Sequence, residues 1–365
     1  MNIFARVTIK FASLFSLCVL FLGMAFGQDN ALKDAGIAGI KDEGIKAVPF
    51  MVNYASYFTR VTAGQVQESP SFAPLLLVPL GNKWLIEVKG SYADTFARNS
   101  KGNYEGTMSY GLAYAQVDYI ANRYVTLAAG RFITPFGIYG ERLAPSWIRA
   151  LQATPLINPL LSGSSLGGML RGGVPAGTDK VHFNYAFYFS ANNTNHIVAT
   201  DRSTGGRIGF FLPGPRLEIG ASFQQLLQAD RSHVAGLHAE WQPNPIPLTL
   251  RSEYIHSSGL KGSGYWIESV YRLSQVPTLR RLELAGRAQQ FYADPKLTKA
   301  LVGKLGALGR DTNEADFGLN YYFNSDIRAC ASYGRQFALK KNANVWVMGI
   351  TYRFFTPFGP TGGGL

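Results

Sequence analysis

The residues best equipped to bind a solute are arginines set singly along apolar-rich, extended stretches: Arg131, Arg207, Arg216, Arg251, Arg272, Arg287 and Arg328. A guanidinium stays charged and presents a planar fork of donors that matches carboxylate and phosphate oxygens. On strands, where alternate residues share a face, these seven fall on the same side as Glu87, Glu218, Glu240, Glu253, Glu268 and Glu283. Such a row gives a passing anion successive weak sites, or its members pair with one another and brace a wall. Spacing alone leaves both open. Glu141, Arg142 and Arg149 form a further charged group, with Trp147, in the proline-containing stretch from Ile133 to Ser165, where the rings stiffen the chain.

Other chemistries fit poorly. His233 and His238 stand five residues apart, which on a strand puts them on opposite faces and argues against a shared metal. His256 with Ser257 and Ser258 lacks the Gly-x-Ser-x-Gly elbow that exposes a nucleophile. Lys296, Lys299, Lys304 and Arg310 read as a solvated or lipopolysaccharide-facing surface. Of the two cysteines, Cys18 lies in the N-terminal apolar run and Cys330 stands alone, so no disulfide or thiolate cluster is expected. No catalytic residue, metal or cofactor is expected.

The elements that would position the arginines are strands. Charged residues make up 16% of the 365 residues, against roughly 25% in soluble domains, while Gly (40), Tyr (19) and Phe (24) are abundant. From Ala47 onward, segments of about ten residues alternate apolar with polar or small, which is the pattern of membrane-crossing strands. In Arg216 to Leu226, for example, Leu217, Ile219, Ala221 and Phe223 oppose Glu218, Ser222 and Gln224. About sixteen such segments are predicted, and their connections alternate between tight ones, such as Gly81-Asn82 and Pro213 to Pro215, and mostly long ones, such as Ile133 to Ser165 and Ala293 to Asn313. A closed antiparallel barrel with short turns at one rim and long loops at the other produces that alternation, and a soluble sandwich has no reason to. After residue 27 the longest apolar run, Leu75 to Leu80, is interrupted by Pro79, which excludes a membrane-spanning helix there.

Two strands break the rhythm. Tyr110, Leu112 and Tyr114 take one parity while Val117 and Tyr119 take the other, which predicts a bulge near Ala115. The segment Phe72 to Leu80 carries Pro74 and Pro79 and barely alternates. Aromatics near strand ends, among them Trp84, Trp241, Trp266, Phe291 and Trp346, suit the two membrane boundaries.

Residues 1–27 have a basic start, an apolar run and the small residues of a cleavable export signal. Residues 28–46 read as a flexible lead-in, 47–355 as the barrel and 356–365 as a C-terminal tail. The net charge of +12, of which Arg6 and Lys10 lie in the leader, favours anionic partners. The basic residues never cluster in a run, which argues against nucleic acid.

Two stretches resemble the phosphate-selective porin family, porins O and P. One is Gly130-Arg131-Phe132 with Pro135-Phe136-Gly137 and Glu141-Arg142; the other is Phe317 to Asn324 leading into Ile327 to Tyr333. The resemblance implies a trimeric, sixteen-strand, anion-preferring channel with arginines at its constriction, and it brings in Arg131 and Arg142 as neighbours of the motif only. The chain departs from it by running past Phe354 and Phe355 and by having no lysine cluster. The expectation is an exported homotrimeric barrel in the bacterial outer membrane, surrounded by lipid and lipopolysaccharide and passing small hydrophilic solutes with a preference for anions, phosphate among them. The third long loop is the candidate to narrow the bore. The alternative is a non-conducting barrel acting as scaffold, sheath or surface binder.

Overall fold

The computed structural model describes residues 49–357 apart from 63–64, 99–101, 144, 162, 177–179, 194–201, 229–231, 259–261, 294–310 and 339–341. The leader, the lead-in, residues 358–365 of the tail and the group Lys296, Lys299, Lys304 and Arg310 lie outside the described residues.

Sixteen strands follow in order: β1 (Phe50–Thr62), β2 (Gln65–Leu80), β3 (Trp84–Arg98), β4 (Tyr104–Asn122), β5 (Val125–Ile133), β6 (Ser164–Pro175), β7 (His182–Asn193), β8 (Ser203–Leu212), β9 (Leu217–Leu226), β10 (His233–Trp241), β11 (Leu248–Ser257), β12 (Gly262–Arg272), β13 (Leu282–Ala293), β14 (Thr312–Tyr322), β15 (Ile327–Ala338) and β16 (Ala343–Pro357). Each pairs antiparallel with its sequence neighbours, and β1 closes the ring against β16, from Phe50 opposite Pro357 to Thr62 opposite Val345. Closure leaves no edge, so the ladder hydrogen bonds of the wall are satisfied within the sheet, as a lipid environment demands.

The irregular strands have local causes. β2 starts at Gln65 rather than near Phe72, and its ladder to β3 skips from Glu68–Phe96 to Ser71–Ala93 and from Phe72–Tyr92 to Leu75–Lys89. The gaps fall at Pro70 and Pro74, which have no N–H to give. In β4, Lys89 pairs with Tyr114 and Gly90 with Leu112, leaving Ala113 unpaired. That bulge sits two positions from the predicted one, and it brings Tyr110, Leu112 and Val117 to one outer face, where all three are exposed.

The outer face is apolar around the ring: Leu127, Phe187, Phe210, Phe223, Leu237, Ile267, Phe317 and Ile350 are all exposed. An apolar band of that extent belongs in lipid. Phe317, the middle residue of β14, is 58% exposed, and Phe317→Arg should destabilise the barrel by about 2–4 kcal/mol through burial of a cation in hydrocarbon. Urea unfolding in phospholipid vesicles measures it; an unchanged midpoint would place this face in water. Trp266 and Phe291 depart from the aromatic-belt expectation. They point inward and are 1% and 2% exposed, for a reason that lies in the lumen.

Candidate functional site

Residues 134–163, between β5 and β6, leave the rim and run into the barrel. The segment brings its own apolar side chains: Phe136, Ile138, Tyr139, Leu143, Leu156, Ile157 and Leu160 form one buried cluster with Val234, Ile255, Trp266 and Phe291 of β10–β13. Trp266 and Phe291 face the lumen because the loop covers them. Fully burying one such side chain is worth about 1.5–3 kcal/mol, so this cluster holds the loop down more firmly than any one polar contact. Glycines make room for it. A Cβ at Gly236 would meet the Phe136 ring, one at Gly264 would meet Ile157, and one at Gly318 would meet Leu151.

Polar bonds pin the loop along its length. Gly137 donates its N–H to Ser222 Oγ at 2.9 Å and accepts from Arg207 at 2.9 Å. The four-residue helix α1 (Tyr139–Arg142) supplies Glu141, paired with Arg207 at 2.7 Å, and Arg142, which donates to Glu218 at 2.8 Å. Farther on, Arg328 donates to the Ser146 carbonyl at 2.6 Å, Asn320 to that of Ala150 at 3.0 Å and Arg287 to that of Ala153 at 2.8 Å, while the Leu156 N–H reaches Gln289 at 2.8 Å. These anchors run from β8 to β15, so the loop lies against that arc of the wall.

The sequence-derived arginines divide by what they touch. Arg207, Arg251 and Arg287 face inward and are paired with carboxylates. Arg251 has Glu240 at 3.5 Å and Glu268 at 3.4 Å, and Arg287 has Asp316 at 3.0 Å. Arg328 is wholly buried and lies over the rings of Trp147 (5.5 Å) and Tyr322 (5.8 Å). Arg272 lies over the Tyr322 ring as well, 4.7 Å from its centroid. Arg149, in the loop, donates to the Leu143 carbonyl at 2.6 Å and stands over the Tyr139 ring.

Arg131 faces out, and Arg216 borders the lumen from a turn rather than from a strand. Arg131 stands opposite Leu166, which is 50% exposed, and cross-strand partners share a face; its side chain is therefore outside, bonded to Ser164 Oγ at 3.1 Å. Phe132 takes the inward place, fully buried with Met169 and Tyr188. Arg216 is not in a strand. It occupies the turn before β9 with φ 54°, exposed. Of the histidines, His238 faces the lumen 3.7 Å from Glu218, and its neighbour His233 pairs with Gln225 on the opposite face.

Among the described residues, sequence reasoning missed at least three inward cations. Arg171 pairs with Asp118 on the wall opposite the loop. Arg353 pairs with Asp326 at 3.3 Å and lies 5.1 Å from the Trp147 ring, so this indole has two guanidiniums within cation–π distance. Lys89 projects between the rings of Tyr54 (5.8 Å) and Tyr114 (6.0 Å), within electrostatic reach of Arg149. Parity would have found all three, since each lies on an inward position of its strand.

No sequence-family profile matches the chain, and no curated protein matches it either. Solved structures do. OmpF of Salmonella typhi in complex with daunomycin aligns at a TM-score of 0.58 and 14% identity over 85% of this chain and 100% of that one. The anion-selective porin of Comamonas acidovorans aligns at 0.53 and 10% over 85% and 99%, and a triple mutant of the Rhodopseudomonas blastica porin at 0.53 and 10% over 84% and 100%. At such identities the likeness is one of fold: the closed, sixteen-strand antiparallel barrel of porins.

Proposed function

We propose that the protein is an outer-membrane channel for passive diffusion of small hydrophilic solutes, with a preference for anions. The observation that carries this reading is the seating of residues 134–163 inside a closed barrel, which narrows the bore. A folded-in loop has no use in a barrel that only displays a surface.

The anion preference rests on which charges face the remaining water. Glu218, Glu253, Glu268 and Asp316 are at most 8% exposed, and Glu218, Glu268 and Asp316 have cationic partners. Charges neutralised and covered in this way act weakly on a passing ion. Lys89 is half-buried and, among the described residues, has no carboxylate within ion-pair distance. The bore that Lys89 borders is therefore biased towards anions. One fold neighbour is named an anion-selective porin, so this architecture accommodates such a bias. Phosphate as a solute and a trimeric assembly belong to the same proposal and rest on the sequence resemblance.

Reversal potentials of the refolded protein in planar bilayers under a potassium chloride gradient test it. Chloride should dominate, and Lys89→Glu should move the reversal potential towards the potassium value. Absence of any steady conductance would overturn the channel; cation preference in the unaltered protein would overturn the bias.

A further inference from the structure

Below the loop, on the short-turn side, the inner wall holds a recess of about 450 Å³ bordered by Arg216, Gln242, Thr249, Val270, Arg272 and Glu283. Its apolar side is continuous with the loop, because Val270 packs with Ala150 and Leu151. A second recess of about 230 Å³ shares Arg216 and Gln242 with it.

Partnering, and for Arg216 also backbone conformation, sets its arginines apart from those in and beneath the loop. Arg142, Arg207, Arg251 and Arg287 each have a carboxylate partner, whereas among the described residues Arg216 and Arg272 have none within ion-pair distance. Arg216 is held by two neutral amide oxygens, Gln242 Oε1 at 2.7 Å and Asn244 Oδ1 at 3.1 Å, and Arg272 by the face of Tyr322. An arginine stacked on a ring keeps its N–H edge available as a donor.

The second feature is backbone conformation. Arg216 has φ 54°, left-handed geometry that is unfavourable for a residue with a Cβ and that glycine or asparagine tolerates better. The surrounding turn holds it there: its N–H donates to the Pro213 carbonyl at 3.3 Å, and its carbonyl accepts from Gln242 at 3.0 Å. What arginine adds over glycine at this position is a guanidinium at the recess. Strain of this kind, held by its surroundings, is characteristic of ligand sites. Glu283 is already engaged by Asn320 at 3.0 Å and the Tyr322 hydroxyl at 3.2 Å, which leaves the two guanidiniums as the available ionic partners.

We propose that this recess binds a small organic oxyanion, a carboxylate or phosphate group carrying a short carbon body, reached from the short-turn side. The oxyanion takes the free N–H groups of Arg216 and Arg272, and the carbon body lies along Val270. The site deepens the channel reading by giving it a solute class, but binding here does not require conduction.

The test uses full-length protein refolded in detergent, with Arg216→Asn, which suits the left-handed turn, and Arg272→Gln; heat-modifiable mobility on gels verifies that both fold. Inorganic phosphate is followed by phosphorus NMR line width and butyrate by proton saturation transfer. Each substitution should weaken binding on the order of tenfold, the effect of losing one charge-assisted contact. Binding of both probes left unchanged in both variants, or no binding of either probe to the unaltered protein, would overturn the site. Butyrate without phosphate, or the reverse, identifies which oxyanion the recess takes and supports it provided the arginine dependence holds. Phosphate added to the short-turn side of a bilayer should also reduce chloride current in the unaltered protein and not in the variants. Current without arginine-dependent binding refutes the recess and leaves the channel; binding without current does the converse.

Discussion

Arg287→Met should destabilise the folded barrel by about 3–5 kcal/mol, the range for removing one partner of a buried ion pair. The Arg287 side chain is fully buried and sits 3.0 Å from Asp316 and 4.0 Å from Glu268. Its guanidinium also holds the Ala153 carbonyl at 2.8 Å. Methionine matches much of its volume but leaves Glu268, Glu314 and Asp316 crowded in a covered part of the lumen without this cation. Their repulsion acts under low dielectric, where water cannot screen it. Tryptophan fluorescence during urea unfolding in vesicles gives the number. The contrasting change is Asp326→Asn, which removes a pair whose partners are about 30% exposed, Arg353 at 28% and Asp326 at 31%, and should cost no more than about 1 kcal/mol. Equal effects from both substitutions would mean that the lumen beneath the loop is as wet as the rim.

Gly137→Ala should unseat the loop while leaving the wall intact. Gly137 has φ 59°, where an added Cβ costs about 1–2 kcal/mol, and that Cβ would overlap the Glu253 carboxylate, which is itself 1% exposed. Relief requires the turn to move. Movement breaks the bond from Gly137 to Ser222 and the one from Arg207, each worth about 0.5–1.5 kcal/mol. The expected result is a larger and noisier single-channel current with a barrel that still resists unfolding. Glu253→Ala introduced beside Gly137→Ala removes the overlap but not the backbone cost, so it should recover part of the quiet current. If the single substitution conducts like the unaltered protein, the loop is not held where the structure places it.

Strand number, alternation of turns and loops, and the outward direction of Ile219 and Phe223 were legible in the chain, because each follows from period two and local turn chemistry. Arg131 was misplaced for a related reason. β5 has an arginine and a phenylalanine side by side, and parity says that they oppose each other without saying which faces in. Phe132 wins the inward place because Met169 and Tyr188, on strands that follow the loop, give it a pocket. The seat of the loop left a fainter trace: apolar Val234, Ile255, Trp266 and Phe291 occupy inward positions on four successive strands, where a water-lined wall would have polar ones.

What the chain determined by itself is thus the barrel and the two faces of its wall, since alternation needs only nearest neighbours to be written and read. Only the tertiary structure decided which inward charges cancel and which remain open to water. Arg328 meets Ser146 across 182 positions of sequence, and Arg142 meets Glu218 across 76. Period two assigns a side chain its face and carries no information about what lies opposite, so the loop's path, and with it the charge that a solute meets, exists only once the ring has closed.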